Sequence, residues 1–284
     1  MNIKGRFLVE LVLLSGFSHI ACGQSQPLSA AEIVKRSVQT NTADWRAQLL
    51  YTHRETDTKT KIESSGHAKV EENKTYEVLM IDGSPYYRLV ALNNEPLNKK
   101  GEQQEQKKLQ AEIHKRKTEP ASDRQKRLAE FRSERSEEHV LMEQMTKAFN
   151  FKLAREEKLG DAECYVLDAT PNPDYRPPVQ KAKVLTGMRG KLWVEKEHFH
   201  WAKVEAEVIS PVEFALFIAR VKPGTKFELV QTPIGENWLP SKFSQTVKAS
   251  VLGMYSMRSR EEEQYFDYRR IAFPSDKSNL SSLQ

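Results

Sequence analysis

The sequence predicts a mainly β protein of the α+β class, an antiparallel sheet of consecutive hairpins with a charged helical hairpin inserted between its strands. Three observations carry this. Ala202, Val204, Ala206 and Val208 alternate with Lys203, Glu205 and Glu207, the two-residue period of a strand with one apolar and one wet face. Asp82-Gly83 joins the strand-like runs Tyr76 to Ile81 and Tyr86 to Leu92, and that dipeptide is the strongest short hairpin signal. The stretch from about 94 to 147 is dominated by Lys, Arg, Glu and Gln, loses all strand alternation and is divided by Pro120.

Taken in order, the first residues read as an export signal covering 1–23. Lys4 and Arg6 precede the apolar run Phe7 to Phe17, interrupted by Glu10, and small residues follow at Ala21 and Gly23. The run is too short to span a bilayer as a helix. Cleavage after Gly23 places the mature protein in the periplasm. Anchoring as a lipoprotein through an acylated Cys22 is the alternative, disfavoured by His19 where an aliphatic residue belongs. One domain, 24–284, then follows.

Ser29 and Glu32 have capping-box spacing, so a short helix is predicted over about 30 to 40 with Ile33, Val34 and Val38 on its apolar stripe. From Trp45 the period changes to two, and a strand is expected through Ala47, Leu49 and Tyr51. In the insert, Leu109 and Ile113 mark the first helix and Glu112 is placed to pair with Arg116. Ser122-Asp123-Arg124-Gln125 restarts the second helix, whose thin apolar edge is Leu128, Phe131, Leu141 and Met145. Edges this thin predict that the insert contributes little to the core.

Strands resume at Phe149 to Phe151 and Tyr165 to Leu167 around the turn Leu159-Gly160-Asp161, and Pro171 to Pro178 forms a loop. A hairpin turns near Glu197-His198, another near Ile234-Gly235-Glu236-Asn237, and Tyr265 to Arg270 is the last strand.

No catalytic constellation is recognisable. The chain has no G-x-S-x-G and, with 12 glycines in 284 residues, no phosphate-binding glycine loop. His198-Phe199-His200 is a two-histidine pattern without a third ligand at matching spacing, which predicts a polar hairpin edge, not a metal site. His53, His67, His114 and His139 sit among polar residues and are expected at the surface, and Glu261-Glu262-Glu263 is expected at a solvated turn or edge. Cys164 is left as a small strand residue. Neither an enzyme nor a cofactor is expected.

A net charge of +5 permits peripheral contact with an anionic membrane. The basic run Lys115-Arg116-Lys117 is flanked by acids and lacks interleaved aromatics, so no nucleic-acid partner is expected. The mean hydropathy of −0.66 is consistent with a large solvated segment.

The segment Gly187-Met188-Arg189-Gly190-Lys191-Leu192-Trp193-Val194, followed by Trp201-Ala202-Lys203-Val204-Glu205-Ala206, resembles the LolA-like outer-membrane lipoprotein-sorting proteins. Tyr165 to Pro171 and Gly235 to Pro240 fit the same pattern. The resemblance runs from about Ala30 to Arg270 and is specific between about Phe149 and Tyr268. It implies an incomplete antiparallel β-barrel wrapped around a helix, with an apolar cavity that shelters the acyl chains of lipid or lipoprotein and performs no covalent chemistry. Strand alternation and aromatic content nominate Val194, Ala202, Val204, Ala206, Val208, Phe214, Phe217, Phe243 and Val247 as its lining. Two functions compete: an acyl-chain carrier of the cell envelope, and an envelope regulator that senses lipid and contacts a protein partner through the helical insert.

Overall fold

A computed structural model of the chain describes residues 28–63, 65–214, 219–251 and 255–271. The segment expected to be an export signal, Cys22 and Phe217 lie outside the described residues, as does the side chain of Phe214. Among the described residues, no helix is long and apolar enough to cross a membrane.

Helix α1 (Ala30–Ala47) starts where Ser29 Oγ accepts the Glu32 N–H at 3.2 Å, one arm of the predicted capping box. It runs seven residues past the expected end. Ile33, Val34, Ser37, Asn41 and Asp44 form one buried helical stripe, so Trp45 and Ala47 belong to the helix and the expected strand there does not form. Tertiary packing decides the outcome. The Arg135 guanidinium lies 4.2 Å from the Trp45 ring centroid, and the His139 ring stacks on Trp45 at 4.4 Å.

The sheet follows: β1 (Tyr51–Ile62), β2 (Ala68–Ile81), β3 (Ser84–Leu92), β4 (Glu95–Pro96), β5 (Phe149–Leu159), β6 (Ala162–Pro171), β7 (Met188–Glu195), β8 (Trp201–Val208), β9 (Val212–Phe214), β10 (Ala219–Val221), β11 (Lys226–Ile234), β12 (Asn237–Val251) and β13 (Tyr255–Arg270). All pairings are antiparallel in the order β4-β3-β2-β1-β13-β12-β11-β8-β7-β6-β5, with β9 and β10 attached to β12. The sheet is open, since β4 and β5 are not paired to each other. Asp82 and Gly83 both have positive φ, 46° and 85°, as the tight β2–β3 turn requires.

Helices α2 (Lys99–Thr118) and α3 (Ala121–Ala148) connect β4 to β5, and so link the two opposite edges of the sheet. Pro120 is the cap residue of α3 and no side chain caps it, in contrast to the restart expected at Ser122. Glu112 accepts from Arg116 Nε at 2.7 Å, as its spacing predicts. The same guanidinium donates to the carbonyls of Ile81 and Ser84, each at 2.8 Å, and fixes α2 to the β2–β3 turn.

The insert is therefore more than a solvated appendage. Leu141, Met142 and Met145 of α3 pack on the core, and Ala148 is fully buried within it. The thin apolar edge was a poor guide because its C-terminal part, Leu141 and Met145, lies where α3 runs onto the core, and Met142 and Ala148 join it there.

Two core clusters lie on the inner face. In one, Ile33 and Val34 of α1 meet Leu167, Leu192, Val194 and Trp201; in the other, Phe149, Ala169 and Val208 meet Tyr175, Ala182 and Leu185 around the 3-10 turn Gln180–Gly187. A third, on the opposite face, joins Cys164, Val166, Trp193 and Ala202.

Candidate ligand-binding face

Cross-strand register lets the inner face be read residue by residue, because directly opposed residues point to the same side of a sheet. One row runs Leu153, Leu167, Leu192, Val204, Leu229 and Phe243 from β5 to β12. The same row continues as Glu263 on β13, Asp57 on β1 and Lys74 on β2. A second, parallel row runs Phe151, Ala169, Gly190, Ala206 and Phe227 and then becomes Gln245, Glu261, Lys59 and Glu72. One continuous surface is thus apolar on one side of the β12–β13 boundary and charged on the other.

On the apolar side, α1 covers part of the floor and is tied down by buried polar contacts. Trp201 Nε1 donates to Ser37 Oγ at 3.0 Å. Asp44, with a side chain 1% exposed, accepts from the Trp238 N–H at 3.1 Å and pairs with His200 Nδ1 at 2.6 Å. These contacts hold the end of α1 against the β7–β8 and β11–β12 turns.

Beside α1 a cleft of about 640 Å³ opens toward the edge strand β5. Val34, Val38, Phe149 and Phe151 form its apolar walls, with Lys35 and Asn150 at its rim. A larger hollow of about 810 Å³ lies over polar side chains of the opposite sheet face. Its charges already pair internally, Lys191 with Asp168 at 2.6 Å and Lys242 with Glu228 at 3.4 Å, which leaves it little net charge to recruit an ion.

The sequence-nominated lining separates into three groups. Val194 and Val208 are fully buried and serve as core beneath α1 and the 3-10 turn. Val204, Ala206, Phe243 and Val247 are half-buried on the inner face, while Phe214 is placed on β9 by its backbone alone. Ala202 is a correction: it packs with Cys164, Val166 and Trp193 on the other face. Trp193 pairs with Lys203 but Val194 pairs with Trp201, so Ala202 sits in a β-bulge that reverses its side, and no alternation rule reveals a bulge.

Val34, Val38, Phe149 and Phe151 of the cleft were not nominated. A signal existed, since Val34 and Val38 form a helical stripe, but nothing in the sequence places that stripe beside β5.

The charged side overturns two expectations. Glu261, Glu262 and Glu263 are not in a turn; they lie mid-strand in β13, hydrogen-bonded between β1 and β12. His53 is not a surface residue, and His139 on α3 is half-buried against Trp45. The His53 side chain is 10% exposed, stacks on Tyr268 with centroids 5.2 Å apart, and has Nε2 3.4 Å from Glu55 Oε2. Burial holds its imidazole down at about 4.

Burial raises the carboxyls of Glu55 and Glu263. Burial, reinforced by hydrogen bonding with Glu55, pushes Asp57 up to about 7. Tyr265 donates to Glu263, and its hydroxyl is raised by burial and by the surrounding carboxylates.

His200 is turned inward to Asp44, while His198 stays exposed in the turn. Glu195, Glu197 and His198 bring ligand atoms within 4.8 Å of one another, but both Glu195 oxygens accept turn N–H groups, from Glu197 and from His198. That carboxylate is explained as a turn cap. Cys164 is buried and its thiol is pushed up to about 11, the opposite of an activated nucleophile.

No protein-family model matches the chain, and no curated protein sequence matches it. Solved structures do. A LolA superfamily protein from Nitrosomonas europaea is 11% identical with a TM-score of 0.30, the match covering 87% of this chain and 96% of that one. A putative outer membrane lipoprotein-sorting protein domain from Vibrio parahaemolyticus is 10% identical with a TM-score of 0.32, over 88% and 99% of the two chains. The Pseudomonas aeruginosa MucA/MucB complex matches at 8% identity and a TM-score of 0.21, over 86% and 99%.

Proposed function

We propose that the protein is a non-catalytic binding protein of the periplasm that shelters an acyl chain, of a lipid or a lipoprotein, against its inner face. The cleft between α1 and β5 carries this reading. Its volume of about 640 Å³ suits a small-molecule site, and its walls Val34, Val38, Phe149 and Phe151 offer contacts to hydrocarbon. Each acyl CH₂ moved from water into such a site contributes about 0.8 kcal/mol, so a handful suffices for reversible binding. The half-buried strip Val204, Leu229 and Phe243 extends the apolar floor across β8, β11 and β12. The periplasmic assignment rests on the export pattern over 1–23.

Mass spectrometry of lipid released from protein purified gently from envelope fractions tests the reading. Wild type carries acyl-chain lipid, and Val38→Asp, which places a carboxylate on a half-buried cleft wall, loses most of it while keeping the wild-type circular dichroism. Lipid retained by Val38→Asp at wild-type stoichiometry excludes this cleft. A stoichiometric envelope protein in place of lipid favours the regulator.

A further inference from the structure

The charged half of the inner face is a poor design for a structural sheet. Around Asp57 the same face presents Glu55 and Lys59 on β1, Glu72, Lys74 and Tyr76 on β2, and Glu261, Glu263 and Tyr265 on β13. Five carboxylates therefore meet two lysines, and Lys74 is already paired with Glu72 at 3.0 Å. Clustering like charges on a half-buried face opposes folding, so such an arrangement persists where something else compensates it.

Polar atoms at this end lack partners within the fold. Asp57 Oδ1 is buried without a hydrogen bond. So is Nδ1 of His53, on a ring nine-tenths buried beside Glu55. Buried polar groups are ordinarily satisfied, and each of these is an acceptor or a ring nitrogen able to accept. What they lack in common is a donor.

We propose that the acidic end of the inner face, Asp57, Glu55 and Glu263, binds the ammonium head of an amphiphile whose hydrocarbon lies along the apolar row ending at Phe243. This rests on the acyl-chain reading above and specifies the head group. The register supports it directly: Phe243 is opposed to Glu263, and Glu263 to Asp57, so hydrocarbon and acid are neighbours on one surface. An ammonium has three N–H donors and no acceptor, which matches a site short of donors. Tyr265 and Tyr76 flank the carboxylates and offer ring surface to a cation.

Calorimetric titration of the full chain at pH 8 with dodecylamine and with dodecyl sulfate, both below their micelle concentrations, tests the proposal. The two share a tail and differ in head charge. Wild type is expected to bind dodecylammonium about 10-fold or more tightly than dodecyl sulfate, the scale of one charge-assisted hydrogen bond. Asp57→Asn and Glu263→Gln should each weaken dodecylammonium by a similar factor, leave dodecyl sulfate binding equal or stronger, and melt no lower than wild type.

Equal binding of both probes by wild type, unchanged in both variants, overturns the ammonium site while leaving the acyl-chain reading intact. Binding of neither probe overturns both. Variants that lose both probes together and melt lower show a structural cluster, which also overturns the head-group assignment. Using two variants on different strands keeps the outcome independent of whether either one folds poorly.

Discussion

Between β5 and β12 the inner face of the sheet is apolar and is packed where α1 and the 3-10 turn cover it, with Val194 and Val208 fully buried beneath them. Between β13 and β3 the inner face carries half-buried Glu263, Asp57 and Lys74 and the buried Glu55, and the acids among them are raised in proton affinity. The two halves share backbone pattern and pairing sense, so hydrogen bonding alone does not distinguish them. Side-chain burial does. One half contributes stability, and the other spends part of it on a chemically distinctive surface.

The sharpest way to break the contrast is to place a carboxylate in the packed half. Val194→Asp leaves a charge with no partner under α1 and is expected to cost more than about 4 kcal/mol, read by urea unfolding. Glu205→Lys, on the wet face of the neighbouring strand, serves as the control and should change stability by less than about 0.5 kcal/mol. If both cost the same, the packed half is not the stabilising one.

A smaller loss is expected where the helix is tied to that half. Asp44→Ala strips the partners from His200 Nδ1 and the Trp238 N–H and should cost about 3 kcal/mol. Hydrogen exchange should then quicken in α1 and the β11–β12 turn before the rest of the sheet.

The smallest effect belongs to the acidic half and concerns pH. The Asp57 carboxyl stands at about 7 in the fold against 3.8 in the open chain, so the folded state holds a proton that the unfolded state has released. Stability from this group is full below about pH 4 and is lost as the pH rises through 7. His53 runs the other way: held at about 4 against 6.5, it contributes stability above pH 6.5 that is lost as the pH falls through 4. Asp57→Asn should flatten the decline in melting temperature between pH 4 and 7 and leave the acid-side loss in place. A variant profile parallel to wild type would remove Asp57 as its origin.

The same contrast explains what the amino-acid sequence made legible. Residues 202–208 and 243–251 announce themselves because one face is apolar and the other is not. Tyr51 to Ile62, a twelve-residue strand inside the sheet order, is rich in Thr, Lys, Glu and Asp, and its period is invisible to hydropathy. The same holds for the first ten residues of β13. The inner face was half legible: alternation put Val204, Ala206, Phe243 and Val247 on it, but the bulge at Ala202 and the approach of α1 to β5 are products of register and tertiary packing. The acid row is legible only once β1 is set between β2 and β13.

That placement has a kinetic consequence. Tyr51 pairs with Arg270 and Lys61 with Ser259, so β1 joins the sheet through the last of the described strands. The first four strands are synthesised first, yet β1 acquires its β13 partner only after β13 emerges. Until about residue 270 is available, β1 presents an unpaired edge of threonines and charges, residues that water solvates well and that discourage premature pairing with other chains. Closing a loop of some 200 residues is slow on the scale of local hairpin formation, so refolding should show β5–β8 protected early and the β1–β13 seam late.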